Sequence, residues 1–517
     1  MFYRPSYGGM WDPTLLYWKD AYYLLSMYRN LEEDRWDGMW CARSLDGIHW
    51  EEWGRVLSGD VEVCKMFLFA KGDRCILNHG SMSLRPGSHN DTLRFYDTQD
   101  MRHWRHLYDT TPDPRWYCPE GRWDHMYVIP KEEENLEKGF WGYVVATPHH
   151  HYQSPFGMME SPDGYQWNPL PPPKIQWGDL PPVRIFEVGG CERIGGRYYF
   201  IGGVGGYAGN SGYSLYTFVA DCPTGPFYPD KEAFRLCGFD QLPGRVFLQN
   251  LAAFARGKEG ELLITNAFFE EFPEAIWLLP HRKAVVDEQG HLRLGWWPGN
   301  KAAEGEELSL SGECAWPVCL ETRADMVSPP ALNCPAKGRV KLCSGWLPGD
   351  FQLEDMSTLI RLETSYPVEE GAVLEGWFTA HPHPVDRADT PWPVCWRKSA
   401  VGFCALEQEN SATAMMLEVG HPYQRRSLVE RVKISPQGLQ YQQLDVTGEG
   451  CATVRGVSPG KRHCFRLYLR RRMMELYVDD LLVQSFLLQG EPSGQIGLLA
   501  RNAEWNIEDL HLYRLAL

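Results

Sequence analysis

Apolar residues in this chain recur at alternate positions over short runs, the two-residue period of strands that bury one face. The first such run, Trp11-Asp12-Pro13-Thr14-Leu15-Leu16-Tyr17-Trp18, turns at Lys19-Asp20 and returns as Ala21-Tyr22-Tyr23-Leu24-Leu25. This predicts a β-hairpin with a carboxylate at its mouth. Two later stretches repeat the arrangement: Arg122-Trp123-Asp124-His125-Met126-Tyr127-Val128-Ile129, and Phe186-Glu187-Val188 continuing through Gly196-Arg197-Tyr198-Tyr199-Phe200. Three carboxylates, each heading a strand, predict one acidic site shared by three sheets. Long helical periodicity is nearly absent.

A second regularity lies at the other end of the strands. Ser44-Leu45-Asp46-Gly47-Ile48-His49-Trp50 recurs as Thr98-Gln99-Asp100-Met101-Arg102-His103-Trp104 and as Ser161-Pro162-Asp163-Gly164-Tyr165-Gln166-Trp167, with a looser copy at Ala220-Asp221-Cys222-Pro223-Thr224-Gly225-Pro226-Phe227. A hydroxyl residue, a spacer and an Asp after an apolar run form an Asx-type turn that closes a small antiparallel sheet, so these positions are structural. The copies stand roughly 55 to 65 residues apart, somewhat longer than the ~40 to 50 of common propeller blades. With a fifth apolar pair at Leu251–Ala255 and Glu261–Asn266, the expectation is an all-β fold: a five-bladed β-propeller over residues 1–300, its inner strands facing a central funnel.

Beyond Trp296-Trp297-Pro298-Gly299, the prolines Pro317, Pro329, Pro330 and Pro335 predict a linker over 301–344. Alternating strands then resume, among them Ala372–Phe378, Ala414–Val419, Phe465–Leu469, Met474–Val478, Leu482–Phe486 and Gln495–Leu499, with turns at Asp479-Asp480 and Gly490. They predict an antiparallel β-sandwich over 345–517.

Composition narrows the ligand. Aromatic residues make up 13% of the 517, including 21 Trp, more than a core requires and suited to stacking on sugar rings. A formal net charge of -16 argues against nucleic acid, which needs a basic surface, and leaves neutral, polyhydroxylated ligands. There is no leader-like start at Met1–Tyr7 and no apolar run of ~18 residues, and the 15 cysteines are odd in number without a CxxC pair. The expectation is a soluble cytoplasmic protein that engages neither membrane nor nucleic acid.

Trp-Asp-Pro opening a hairpin, a second Asp heading a third-blade strand, and a Glu nine residues before Gly196-Arg197-Tyr198-Tyr199 together resemble the furanosidase clan of glycoside hydrolases. With a C-terminal sandwich, the chain is most similar to glycoside hydrolase family 32, the invertases, fructanases and levanases. The stretch from Leu279-Pro280-His281-Arg282 to Leu294 resembles that family's propeller exit, and Glu475–Asp480 resembles a strand of its sandwich. Family 43, the inverting arabinan and xylan enzymes, is the nearest rival. The resemblance implies an exo-acting hydrolase of small fructoside-like oligosaccharides that needs no metal or other cofactor, with Asp12 as nucleophile, Asp124 as stabiliser of a sugar hydroxyl and Glu187 as general acid/base. One carboxylate must be ionised to attack while another keeps a proton for the leaving oxygen; a third charge nearby helps hold that proton. Family 32 places Asn before the nucleophile and Asn-Gly after its proline, and sets the stabiliser in Arg-Asp-Pro. This chain has Trp11, Thr14-Leu15 and Trp123-Asp124-His125 instead, a different set of sugar contacts.

Around these residues, Trp11, Trp123, His125 and His149 are candidate substrate contacts. The run His149-His150-His151 cannot converge on one metal from a single strand or loop, and is read as a sugar-contacting or solvated loop. Glu192 is read as a surface ion-pairing residue rather than the acid. Gly203-Val204-Gly205-Gly206-Tyr207-Ala208 mimics a dinucleotide fingerprint but no helix follows it.

Overall fold

The computed structural model describes the chain except residues 8, 31, 34, 59–60, 84–90, 134, 206–212, 239–250, 272–274, 311–314, 320–331, 334–339, 344–356, 363, 383–398, 409, 421–425, 436–437, 449 and 502. It contains two compact units, one of Met1–Gly238 with Pro243–Asn300 and one that includes Lys301–Leu517. Pro329, Pro330 and Pro335 of the expected linker, and Gly206–Ala208 of the glycine-rich run, lie outside the described residues.

The first unit is built of antiparallel sheets in chain order. Blade I pairs Trp11–Trp18, Ala21–Asn30, Arg35–Ser44 and Glu51–Ser58; blade II pairs Val61–Lys71, Arg74–Ser83, Thr92–Thr98 and Arg105–Thr110. Blade III runs Trp123–Pro130, Phe140–Ala146, Gly157–Ser161 and Asn168–Leu170, and blade IV runs Glu187–Ile194, Arg197–Gly205, Tyr213–Ala220 and Tyr228–Pro229. Blade V holds Ala253–Arg256, Leu262–Thr265, Arg282–Val286 and Leu292–Trp296, with the hairpin Ala267–Glu271 and Ala275–Leu278 between its second and third strands. The first strand of each blade contacts the first strand of the next, and that of blade V returns to blade I, so five inner strands close a ring. The N-terminal residues tie into blade V, where Phe2 N donates to Leu278 O and Leu278 N to Tyr3 O, each at 2.8 Å.

The recurring turns close the blades as their residue types require. In blade I the Ser44 hydroxyl accepts from Gly47 N at 2.9 Å, and Asp46 Oδ1 accepts from the backbone N–H of Ile48 and His49, both at 2.9 Å. Thr98 and Asp100 in blade II, and Ser161 and Asp163 in blade III, repeat the same bonds. Each turn joins a third strand to a fourth. The hairpin turn Lys19-Asp20, at φ 46° and 59°, has the left-handed pair that two-residue hairpins favour.

The second unit is a sandwich of two antiparallel sheets. One includes Ala372–Pro382, Arg462–Arg470, Met473–Val478, Leu481–Leu487 and Ala503–Leu515; the other includes Ser357–Arg361, Ala400–Glu407, Ser411–Glu418, Ser427–Ser435, Gly438–Thr447 and Pro492–Arg501. Within 301–344, Glu304–Glu307 and Val340–Cys343 pair with Ala503–Leu515, and Ala315–Cys319 pairs with Ser357–Arg361. Phe403 of one sheet meets Phe465 and Trp505 of the other at ring-centroid distances of 4.3 and 5.1 Å. Phe403→Ala is therefore expected to destabilise the sandwich by about 3–5 kcal/mol in denaturant titration, since it removes the ring on which the two sheets meet.

Candidate active site

Each expected carboxylate sits where an inner strand departs from regular pairing. On blade I the register slips between Trp11 and Thr14, and Asp12 has φ 50°, a conformation few non-glycine residues adopt. On blade III the slip lies opposite Asp124 and His125, between Val144 and Ala146 of the neighbouring strand. On blade IV it lies between Val188 and Gly190, one residue after Glu187. Gly190, at φ 117°, could not carry a side chain, because a Cβ there would fall 2.7 Å from the Tyr127 ring. Bulges re-aim side chains off the regular pleat, and these deliver Asp12, Asp124 and Glu187 into one pocket of about 280 Å³.

Trp11, Met27, Trp36, Val63, Cys64, Lys65 and Arg122 complete the lining. Arg122 holds the site together electrostatically. One guanidinium nitrogen donates to Asp124 Oδ2 at 2.5 Å and to Glu187 Oε1 at 3.2 Å, while the other donates to the Phe186 carbonyl. Asp124 Oδ1 also accepts from His125 N at 2.7 Å. The fully buried His125 ring donates from Nε2 to the Val188 carbonyl at 3.2 Å and lies 3.7 Å from Glu187. Behind these groups, buried Asn78 grips Met126 through two bonds of 2.7 and 2.8 Å, fixing the blade III strand.

The two carboxyls that share Arg122 are driven in opposite directions. Burial pushes Glu187 up, Arg122 and His125 pull against it, and the charges of Asp12 and Asp124 push it further, for a net rise. Burial also acts upward on Asp124, but Arg122 and His125 overcome it and hold this carboxyl well below the usual range. One acid in the pocket thus keeps its proton more readily than the other. Ligand atoms of Asp124, His125 and Glu187 lie within 4.8 Å of one another, close enough to hold a cation. Arg122 already bridges both carboxylates, so a metal would have to displace it.

No family model matches the sequence, and no curated protein matches it. Solved structures do match. The GH32 beta-fructofuranosidase of Bombyx mori aligns over 99% of this chain and 92% of its own, with a TM-score of 0.60 at 14% identity. Sucrose-6-phosphate hydrolase from Lactobacillus gasseri aligns over 99% and 93%, at TM-score 0.61 and 8% identity. Fructan 1-exohydrolase IIa from Cichorium intybus aligns over 100% and 97%, at TM-score 0.59 and 10% identity. The chain has the fold of glycoside hydrolase family 32. That fold is the all-β propeller followed by a β-sandwich read from the sequence.

On this GH32 fold the other expected contacts separate. Trp11 lines the pocket, edge-on to Trp36 and Phe269 at centroid distances of 5.7 and 5.5 Å. His125 is adjacent but packed beneath the carboxylates. Trp123 is fully buried in the blade III core against Tyr117, with its indole N–H on Thr110. His149 does not line the pocket; its Nε2 donates to the Pro114 carbonyl at 3.0 Å and its Nδ1 lies 3.5 Å from Cys118 Sγ, which fixes a loop. Glu192, expected at the surface, is 3% exposed and joins the Tyr127 hydroxyl to Arg256. Arg122, Trp36 and Lys65 were not among the expected residues. Arg122 was legible, because residues two apart on a strand share a face, which pairs Arg122 with Asp124 and turns Trp123 the other way. Trp123→Ala is expected to cost about 3–5 kcal/mol of stability, whereas Trp11→Ala, in the partly open lining of the pocket, is expected to cost less. Denaturant titration of the two variants checks the difference.

Proposed function

We propose that this chain is a glycoside hydrolase that removes one terminal sugar from a small fructoside-like furanoside, by double displacement. The carrying observation is the opposed displacement of two carboxyls around Arg122 in a pocket that also presents Asp12. In this reading the Asp12 carboxylate attacks the anomeric carbon as Glu187 gives its proton to the leaving oxygen. Glu187 then takes a proton from water, whose oxygen displaces Asp12 and frees the sugar. Asp124, held ionised, accepts from a sugar hydroxyl and favours the oxocarbenium-like state. A pocket of about 280 Å³ fits one sugar ring better than a polymer segment, which supports exo action. The names of the structural neighbours, a β-fructofuranosidase, a sucrose-6-phosphate hydrolase and a fructan exohydrolase, support the fructoside class.

The test is product release from sucrose, fructo-oligosaccharides, arabino-oligosaccharides and aryl furanosides, with the anomer followed by NMR. Fructose released with retention, and turnover reduced by at least about 10³-fold in Asp12→Asn and Glu187→Gln, is the expected result. Inversion would replace the nucleophile with a base at Asp12; sugar binding without turnover in wild type would make the protein a lectin.

The pH profile carries a further prediction. The rate needs Glu187 protonated, so it falls as pH rises through the raised Glu187 pKa. Arg122 lowers the Glu187 carboxyl, so Arg122→Gln is expected to move the alkaline limb of kcat/KM upward. An alkaline limb that stays in place would contradict the role given to Arg122.

A further inference from the structure

Blades I, III and IV each bring an ionisable side chain to the pocket from a bulged inner strand, and blade II does the same. Its inner strand slips register between Val63 and Met66, and Lys65 stands in that slip. The side chain is 1% exposed and lines the pocket with Asp12, Asp124 and Glu187. Its Nζ has no hydrogen-bond partner among the described residues and lies over the face of Phe67, 5.0 Å from the ring centre.

A buried ammonium left without acceptors is costly, and lysines buried for structural reasons are paired. Arg122, in the same pocket, is paired twice. Burial lowers the Lys65 pKa, against the pull of Asp12, Glu187 and Asp124 in that order, so the surrounding protein holds this charge at a net disadvantage. An occupant offering oxygen lone pairs would remove that disadvantage. The charge balance indicates which kind. With Asp12 and Asp124 ionised and Glu187 protonated, Arg122 and Lys65 already balance the carboxylates. A neutral polyol preserves the balance, whereas a sugar acid brings another negative charge beside Asp12 and Asp124.

We propose that Lys65 is a specificity-determining residue that donates hydrogen bonds from Nζ to hydroxyl oxygens of a neutral sugar seated among Asp12, Asp124 and Glu187. The inference rests on the pocket being a sugar site, as in the proposed function, and adds the group that selects the sugar.

Thermal melting of wild type, Lys65→Met and Lys65→Gln, alone and with D-fructose, L-arabinose, D-xylose or D-glucuronate, tests it. Wild type is expected to be stabilised by at least one neutral sugar and not by glucuronate. Empty Lys65→Met is expected to melt above empty wild type, because the unpaired charge is gone, yet to bind the stabilising sugar about ten- to a hundredfold more weakly. Lys65→Gln, which keeps a donor, should retain part of the affinity. A Lys65→Met protein that melts lower, or fails to fold, while Lys65→Gln keeps full affinity would make Lys65 structural. Stabilisation by glucuronate above every neutral sugar would overturn the charge argument. If wild type responds to no sugar, the sugar reading itself fails; if wild type and Lys65→Met respond equally, only the role of Lys65 fails.

Discussion

A single guanidinium between the buried Asp124 carboxylate and the partly exposed Glu187 is the interaction on which the site depends. Three acids converge on one small pocket, and ionised acids brought together out of water repel each other strongly unless a cation or a proton intervenes. Arg122 lies closer to Asp124, at 2.5 Å, than to Glu187, at 3.2 Å. Arg122, with His125, holds Asp124 ionised against its burial, whereas at Glu187 burial and the charges of Asp12 and Asp124 outweigh the same two cations. Two carboxyls in one pocket are thus displaced in opposite directions by the balance of burial and charge.

The scaffold that allows this crowding is a ring of strands whose ends are secured elsewhere. Hydroxyl and carboxylate side chains close the outer turns of blades I to III by the same bonds. Buried links such as Thr14 Oγ1 to the Met66 carbonyl at 2.6 Å and Tyr127 to Glu192 at 2.6 Å join neighbouring inner strands. With pairing secured on both sides, the inner strands of blades I to IV can carry register slips, and each slip presents a polar group that regular alternation would place otherwise.

The periodic features were legible in the sequence and the departures from period were not. Alternation gave the strands, the Ser-x-Asp turns gave their grouping, and the resemblance around Asp12, Asp124 and Glu187 pointed to the fold. Trp123 was misjudged because proximity to Asp124 in sequence was read as proximity to the ligand, although adjacent strand residues face apart. Arg122 was overlooked for the same reason. Lys65 carries no motif, and only the slip between Val63 and Met66 turns it to the pocket, a feature of pairing that a single strand does not announce. His149 and Glu192 illustrate a different limit: each is held by partners far along the chain, Pro114 and Arg256, which no local pattern specifies.

The most direct measurement is a titration of the individual carboxyl groups by NMR on protein labelled at the Asp and Glu side-chain carbons, with Asp124→Asn and Glu187→Gln for assignment. The structure predicts a Glu187 carboxyl that stays protonated to higher pH than an ordinary glutamate, and an Asp124 carboxyl that stays ionised to lower pH than an ordinary aspartate. Two carboxyls titrating together in the ordinary range, or in the reverse order, would contradict the opposed displacement of Asp124 and Glu187 on which the account rests.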